Sequence, residues 1–222
     1  MTFKILYEQA GFLAIDKPAG VPVIPGRDAN PDCVRTRLQA QLGKPVWVVH
    51  RLDRDTSGVL LFALDAPTHR TLSMAFENGQ VAKRYLALVE GRVEAAVLID
   101  RPLVEARKSR MRVAREGEEG KSAQTLIKPR TTFARASLVE AEPVTGRTHQ
   151  IRVHLQSIGH PLLFDHQYGR KLSLTRADLG GQGDAPVLSR TPLHAELLKL
   201  EGIAIQAPLP ADLAAALAIL SG

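Results

Sequence analysis

The stretch HRLDRDTSGVLLFAL, residues 50–64, decides the fold. Its first half places Asp53 and Asp55 among arginines and small polar residues, and its second half is an unbroken apolar run typical of a buried β-strand. The segment PVWVVH at 45–50 is also rich in β-branched residues. We therefore expect two strands here, joined by a charged loop at a sheet edge.

Outward from this loop, capping residues predict two helices. The first has Asn30 as its N-cap and Pro31 as its first residue, and Gly43 ends it. The second begins after the N-cap Asp65 and ends at Gly79. Both carry apolar side chains three or four residues apart, which predicts that each helix packs one face on a core.

The rest of the chain contains more strands than helices. A third helix has Ile151 and Leu155 on one face and stops at Gly159, and a last helix opens at Pro210. Strands are predicted at FKILYE, FLAID, KRYLALVEG, SAQTLI, ASLVEAEPV and LHAELLKL. Because the strands do not alternate regularly with the helices, the pattern favours an α+β fold with a largely antiparallel sheet.

Two segments lack clear periodicity. Residues 107–121, RKSRMRVAREGEEGK, are predicted to form either a solvated loop or hairpin or an arm that contacts RNA. Residues 173–190 contain the turn-forming sequence GGQG, which predicts a flexible surface excursion.

Composition limits the classes of protein that this chain can belong to. With 222 residues, of which 45% are apolar, it can form one domain over residues 1–222, built around one substantial core or as two closely joined halves. A net charge of +6 favours a polyanionic partner such as nucleic acid. The single cysteine, Cys33, excludes an internal disulfide or a Cys-based zinc site, and a reducing cytoplasm fits best. We expect neither a signal peptide nor a membrane span.

Residue chemistry alone leaves several uses for the charged loop open. Asp53 and Asp55, with Thr56 and Ser57, can simply close a turn, because all four residue types are favoured there. A carboxylate such as Asp53 can instead act as a nucleophile, held in two-point contact by an arginine such as Arg152. A divalent metal on Asp53 and Asp55 lacks a third ligand nearby, and Ser57 lacks the GxSxG elbow of hydrolases.

Four stretches stand out when they are taken together in chain order. They are DKPAGVPVIPG at 16–26, HRLDRDTSG at 50–58, KRYLALVEG at 83–91 and EPVTGRTHQIRVHLQSIGHPLL at 142–163. HRLDRDTSG resembles the signature of the RluA class of pseudouridine synthases, and the other three stretches match that family in the same order. LHAELLKL and APLPADL are similar to its closing elements, so the resemblance spans nearly the whole chain.

The resemblance implies a fold and an activity. The implied fold is a mixed, mainly antiparallel sheet that is split into two halves, with flanking helices and the active cleft between the halves. The implied activity is the isomerisation of uridine to pseudouridine in structured RNA, either rRNA or tRNA, after base flipping and without a cofactor or metal. No separate protein partner is implied, and we expect a monomer.

The resemblance also implies roles for individual residues. Asp53 is the catalytic aspartate and Arg152 its ion-pair partner, while Tyr85 stacks on the target uracil. The substrate-binding residues are Arg51, which enters the RNA in place of the flipped nucleotide, Lys83, which supports the site, and Leu193, which presses on the base. From the pattern alone Tyr85 and Leu193 can also be core residues and Arg152 a surface helix residue. His50, His149 and His154 are more easily explained by hydrogen bonding than by metal binding.

The chain departs from the family pattern at three places. The KPaG-like loop begins at residue 16, so we expect no S4-type RNA-binding domain before the catalytic domain. Phe164 stands where the family usually has glycine, while Asp165 and Tyr168 remain in register. The link after LHAELLKL is shorter than usual.

An alternative to an enzyme is a protein module that binds RNA in the same basic cleft without catalysing a reaction.

Overall fold

The computed structural model describes residues 2–26, 31–107, 110–169 and 174–222. The helices are α1 (Val34–Leu42), α2 (Ala66–Glu77), α3 (Gln150–Ser157) and α4 (Ala211–Leu220). The strands are β1 (Lys4–Gln9), β2 (Phe12–Lys17), β3 (Trp47–Val48), β4 (Ser57–Ala63), β5 (Ala82–Glu90), β6 (Val97–Asp100), β7 (Leu103–Glu105), β8 (Met111–Val113), β9 (Gln124–Thr132), β10 (Ala136–Pro143), β11 (Leu174–Thr175), β12 (Pro186–Leu188), β13 (Leu193–Leu200) and β14 (Ile203–Gln206). Mixed α and β structure with mainly antiparallel pairing confirms the predicted fold class.

The chain divides into two compact units. The first comprises Met1–Lys83 and His194–Pro208. Its strands are ordered β1-β2-β4-β13, with β3 paired to β4 and β14 paired to β13. All of these pairs are antiparallel except β4 with β13, which run parallel. Side chains from strands β2, β4 and β13 and from helix α2 form one core, among them Phe12, Leu61, Leu198 and Leu72.

The second unit comprises Arg84–Leu193 and Leu209–Gly222. Its strands are ordered β5-β10-β9-β6, all antiparallel, and β7 with β8 forms a separate hairpin. Helix α3 places Ile151 and Leu155 in a core with Ile127 and Val139 of the sheet. The expected pattern of an apolar helix face on a sheet is therefore present in this unit.

Local signals predicted several element boundaries correctly. Asp65 is the N-cap of α2, and its carboxylate accepts a hydrogen bond of 2.7 Å from the backbone N–H of Thr68. Gly43 ends α1 in the left-handed conformation that glycine adopts without strain. The strand over residues 58–64 is also confirmed.

The predicted start of helix α1 was wrong. The helix begins at Val34 with Cys33 as the N-cap, not at Pro31, and Asn30 lies outside the described residues. The backbone N–H groups of Val34 and Arg35 donate to the carbonyls of Pro22 and Val23. Contacts with the preceding Pro-rich loop therefore fix where the helix starts.

The strand predicted at 45–50 is shorter than expected. Strand β3 contains only Trp47 and Val48, which pair with Ala63 and Phe62. Further along β4, the backbone N–H of Leu61 donates to the imidazole of His50. A side chain thus takes the hydrogen bond that a longer β3 would have made.

The prediction of a flexible excursion over 173–190 was wrong for the described part, 174–190. This segment forms β11, a short 3-10 helix (Ala177–Leu179) and β12. Leu174, Leu179 and Leu188 are buried in a cluster with Leu213 and Ala216 of α4. Three leucines spaced irregularly along a polar segment anchor it to the core, a pattern that has no helical or strand period.

No helix in the part of the chain that the structure describes is long and apolar enough to cross a membrane.

Candidate active site

The loop between β3 and β4 is held by a buried lysine. Lys17, fully buried at the end of β2, donates from Nζ to the carbonyls of Pro18 at 2.9 Å, Arg54 at 2.9 Å and Thr56 at 2.8 Å. An ammonium group has three N–H donors, so each of them has an acceptor. Lys17 belongs to the KPaG-like stretch, and its contacts explain physically why that stretch accompanies HRLDRDTSG.

Further hydrogen bonds fix the loop around Asp53. The Gly20 N–H donates to the Arg54 carbonyl, and Arg54 Nε donates back to the Gly20 carbonyl, both at 2.9 Å. The Thr56 N–H donates to the Asp53 carbonyl at 3.2 Å. The Asp53 side chain itself is half-buried. The loop backbone is therefore fixed at Asp53 and directly after it, while solvent can still reach the Asp53 carboxylate.

The end of the loop is fixed where it enters β4. The Ser57 hydroxyl and Nδ1 of His194 form a buried hydrogen bond of 2.9 Å. Gly58 has a positive φ of 112°, and a Cβ at this position would lie 2.2 Å from the carbonyl oxygen of Ala195. The glycine of the TSG sequence is thus required by the close approach of β4 and β13.

His50, the first residue of the signature, is held as a neutral acceptor. Its Nε2 accepts from the Leu61 N–H at 3.0 Å, so the ring proton resides on Nδ1, and the ring stacks on Phe76 with centroids 4.4 Å apart. Burial, and secondly the nearby charge of Lys83, lower the pKa of His50 to about 3. Burial also lowers the pKa of the half-buried Lys83.

In the second unit, Arg152 is buried on helix α3, with 7% of its surface exposed. Its Nε and one terminal nitrogen donate to the two carboxylate oxygens of Asp165, both at 2.7 Å, and that terminal nitrogen also donates to Gln167 Oε1 at 3.0 Å. The guanidinium lies over the Tyr168 ring, 4.9 Å from its centroid. The interpretation of Arg152 as a surface helix residue was therefore wrong.

Asp165 is a site residue whose role the sequence did not reveal. Burial alone would raise the pKa of this carboxyl group, but the hydrogen bonds and charge of Arg152 outweigh that effect. The backbone N–H groups of Gln167 and Tyr168, which donate to Oδ1 at 2.9 and 3.2 Å, act in the same direction. The pKa of Asp165 is thus held below its ordinary value, and the Arg152–Asp165 pair stays charged.

The other predicted site residues differ in how far they are buried. Arg51 is exposed in the first unit. Tyr85, half-buried on β5, packs against the cluster that includes Ala87 and Val89, and Leu193 is a buried member of the same cluster. Tyr85 and Leu193 thus share one apolar cluster with the face of α3. Asp53 belongs to the first unit and Arg152 to the second, and their ion pair stays a prediction.

The three singled-out histidines all make hydrogen bonds. His154 bonds through Nδ1 to the Thr125 hydroxyl at 2.9 Å and through Nε2 to the Arg101 carbonyl at 3.0 Å. His149 Nδ1 bonds to the Tyr168 hydroxyl at 2.8 Å. Within residues 2–26, 31–107, 110–169 and 174–222, no group of three or more His, Cys, Asp or Glu side chains is placed to hold a metal ion.

A known protein family matches this chain. The family model described as RNA pseudouridylate synthase matches residues 11–157. This range includes the Asp53 loop of the first unit and the Arg152 helix of the second.

Comparison with curated proteins gives the same family. The chain is 39% identical over 217 residues to the ribosomal large subunit pseudouridine synthase C of Escherichia coli (strain K12), which covers 92% of this chain and 66% of that protein. It is 38% identical over 228 residues to the protein of that name from Salmonella typhi, covering 97% and 69% of the two chains. The chain thus spans about two thirds of the length of these relatives.

Solved structures share the fold over nearly the full length. The structure of human RNA pseudouridylate synthase domain containing 4 is similar with a TM-score of 0.79 and 28% identity, over 98% of this chain and 93% of the other. The structure of human RNA pseudouridylate synthase domain containing 1 gives 0.73 and 26%, over 97% and 87%.

Proposed function

The chain belongs to the RNA pseudouridylate synthase family, and on that premise we propose that it isomerises uridine to pseudouridine in RNA of the large ribosomal subunit, with Asp53 as the catalytic carboxylate. The single observation that carries the assignment of Asp53 is the Lys17-bound loop. Lys17 fixes the backbone directly after Asp53, at Arg54 and Thr56, while the Asp53 side chain remains half-buried. A nucleophilic or basic carboxylate needs such orientation, because it is already ionised near pH 7.

The reaction is an isomerisation and consumes no co-substrate. The N1–C1′ glycosidic bond breaks, the uracil turns, C5 bonds to C1′, C5 loses its proton and N1 gains one. A positioned Asp53 carboxylate can start this sequence by attack on C1′, by addition to the ring or by removal of the 2′ proton. The base must first leave its stack, which costs a few kcal/mol.

The remaining residues bind and support the flipped nucleotide. Tyr85 stacks on uracil, and stacking of this kind is worth about 1 to 3 kcal/mol. Leu193 presses on the base, and its place in the same apolar cluster as Tyr85 supports that pairing. Exposed Arg51 fills the space that the nucleotide leaves, Lys83 supports the site, and Arg152 serves as the ion-pair partner of Asp53.

We also propose that the two units act as one catalytic domain over residues 1–222 and that the protein works as a monomer in the cytoplasm. The family match supports the single domain, because its range, residues 11–157, includes residues of both units. Cys33, a buried free thiol, is compatible with a reducing compartment.

A pseudouridine map tests this function. Unmodified transcripts of large-subunit ribosomal RNA are incubated with the wild-type protein or a variant, treated with carbodiimide and analysed by primer extension. We expect modification at discrete uridines with the wild-type protein, and a loss of at least about 10³-fold with Asp53→Asn, since the reacting group is removed. Asp53→Asn should fold normally, because the substitution is nearly isosteric and the side chain is half-buried.

Asp55→Asn is the matched control for this experiment. Asp55 is half-buried in the same loop, two residues from Asp53, so the substitution makes an equal change in charge. It should retain most of the activity. Equal turnover by wild type and Asp53→Asn would overturn the assignment of Asp53, and RNA binding without modification by folded wild-type protein would favour a binding module.

A further inference from the structure

The β7–β8 hairpin and the Arg152 site are linked by one hydroxyl group. The backbone N–H of Met111, the first residue of β8, donates to the Tyr168 Oη at 2.8 Å. The same oxygen bonds to Nδ1 of His149, the residue that precedes helix α3, also at 2.8 Å. Tyr168 Oη thus joins the hairpin to the start of the helix that carries Arg152.

The ring of Tyr168 contacts the guanidinium of Arg152 directly. The Arg152 Cζ lies 4.9 Å from the ring centroid, and Tyr168 as a residue is 9% exposed. A buried cation over an aromatic face is attracted by the electrons of the ring, provided that the ring keeps its orientation. The orientation of this ring depends on its backbone, whose N–H donates to Asp165, and on the two hydrogen bonds of its Oη.

We propose that Tyr168 is a positioning residue that couples the β7–β8 hairpin to the guanidinium of Arg152. The coupling acts through Oη, which holds the ring, and through the ring face, which holds the cation. The proposal rests on the proposed function, because a shift of Arg152 matters only if Arg152 serves the reaction. It gives the hairpin of the charged 107–121 segment a role besides that of a solvated loop.

Two substitutions remove the same hydrogen bond from opposite sides. Tyr168→Phe deletes the hydroxyl and keeps the ring face over Arg152. Met111→Pro deletes the backbone donor, and proline is tolerated at the first residue of a strand. Met111→Ala is the matched control, because it shortens the side chain and keeps the N–H. The wild-type protein and every variant are compared below their unfolding temperatures.

The kinetic test is a double-substitution cycle under single-turnover conditions. Each of Tyr168→Phe and Met111→Pro should lower the rate of pseudouridine formation about tenfold, with RNA affinity changed less than about twofold, because a misplaced Arg152 affects the reacting geometry. The double variant should be no slower than Tyr168→Phe, since that substitution already removes the hydrogen bond from the Met111 N–H, together with the one to His149. Multiplicative losses, or an unchanged rate in Tyr168→Phe, would overturn the proposal while leaving the proposed function standing.

A second readout needs no activity. Hydrogen exchange of the Arg152 Nε–H, followed by NMR without RNA, should accelerate about tenfold in Tyr168→Phe and Met111→Pro and stay unchanged in Met111→Ala. Equal exchange in all of these proteins would contradict the coupling. If the wild-type protein made no pseudouridine, the proposed function would fail, and this measurement would still decide whether Tyr168 positions Arg152.

Discussion

In the first unit, Asp53 lies in a loop whose backbone carbonyls are bound by Lys17, and its own side chain stays half-buried. In the second unit, Arg152 is bound through its own side chain by Asp165 and Gln167 and is almost fully buried. The first site is positioned by backbone geometry and the second by a charge network. The two predicted partners should therefore respond differently to substitution, one losing activity alone and the other losing stability as well.

The two units also differ in charge. From the sequence, the second unit has 18 Lys and Arg against 13 Asp and Glu, a net charge of +5, whereas the first has 11 against 10, a net charge of +1. Nearly all of the basic excess therefore belongs to the second unit. Because phosphate neutralisation dominates RNA affinity, we expect the second unit to provide most of the binding free energy.

The largest effect should come from breaking the network in the second unit. Asp165→Ala leaves the buried guanidinium of Arg152 without its carboxylate, which should lower the free energy of unfolding by about 3 to 5 kcal/mol. Urea unfolding of Asp165→Ala and of the wild-type protein measures this difference in the free energy of unfolding. Glu142→Ala is the control in the same unit, because the Lys128–Glu142 side chains are 43% and 33% exposed, and it should cost at most about 1 kcal/mol.

A similar loss in Asp165→Ala and Glu142→Ala would remove the contrast between the two regions. It would mean that the buried pair contributes no more than an exposed one. Arg152 would then have to be held by its apolar stem rather than by its charge.

A smaller effect is expected from the lysine that holds the Asp53 loop. Lys17→Met leaves the carbonyls of Pro18 and Thr56 without the Nζ donor, while the Arg54 carbonyl keeps the Gly20 N–H. We expect a loss of about 2 to 4 kcal/mol in unfolding free energy, partly offset because a buried charge is also removed. Activity should fall further than the folded fraction, because the backbone around Asp53 loosens.

Lys199→Met is the control for this substitution. Lys199 is exposed on β13 of the same unit, so the same chemical change should leave stability and activity near the wild-type values. If Lys17→Met kept full activity at a temperature where it is folded, the loop would not depend on Lys17. The contrast between backbone and side-chain positioning would then fail in the first unit.

The smallest effect concerns His50 and depends on pH. The folded pKa of His50 is about 3 and its ordinary value is 6.5, so the unfolded chain binds one more proton between these values. The contribution of His50 to the free energy of unfolding is therefore at its full value above about pH 6.5. It decreases as the pH falls, with a slope of about 1.4 kcal/mol per pH unit.

His50→Gln tests this pH dependence. The glutamine oxygen can accept the Leu61 N–H in place of Nε2 but does not titrate. The difference in slope between the two proteins, from unfolding curves at pH 4 to 6, should correspond to about one proton. Burial also lowers the pKa of His154. Because His154 is present in both proteins, its contribution to the difference in slope cancels. Identical slopes would show that His50 is not held as a neutral acceptor.

The sequence predicted the elements that depend on neighbouring residues. Asp65 caps α2 through a residue three positions along, and Gly43 ends α1 through its own conformational freedom, so both signals are local. The apolar run of β4 and the fold class follow from the same kind of pattern. Asp53, Arg152 and Tyr85 were selected only through the resemblance, because pattern alone also fitted a turn, a surface helix and a core residue.

Contacts between distant residues could not be predicted. Lys17 reaches Thr56, 39 positions away, and nothing in DKPAG alone indicates that its lysine is buried. Asp165 lies 13 positions after Arg152, beyond any helical spacing, so the ion pair has no periodic signal. The predictions of the start of α1 and of a flexible segment over residues 174–190 were wrong for the same reason, because tertiary contacts determine both features.

The measurement that tests the central claim most directly is tritium release from RNA labelled at C5 of uridine. The C5 hydrogen leaves only when C5 becomes bonded to C1′, so release counts isomerisation events. We predict release by wild type and Asp55→Asn, and none by Asp53→Asn at equal RNA binding. Release by Asp53→Asn at the wild-type rate would contradict the account that Asp53, on its Lys17-bound loop, carries the reaction.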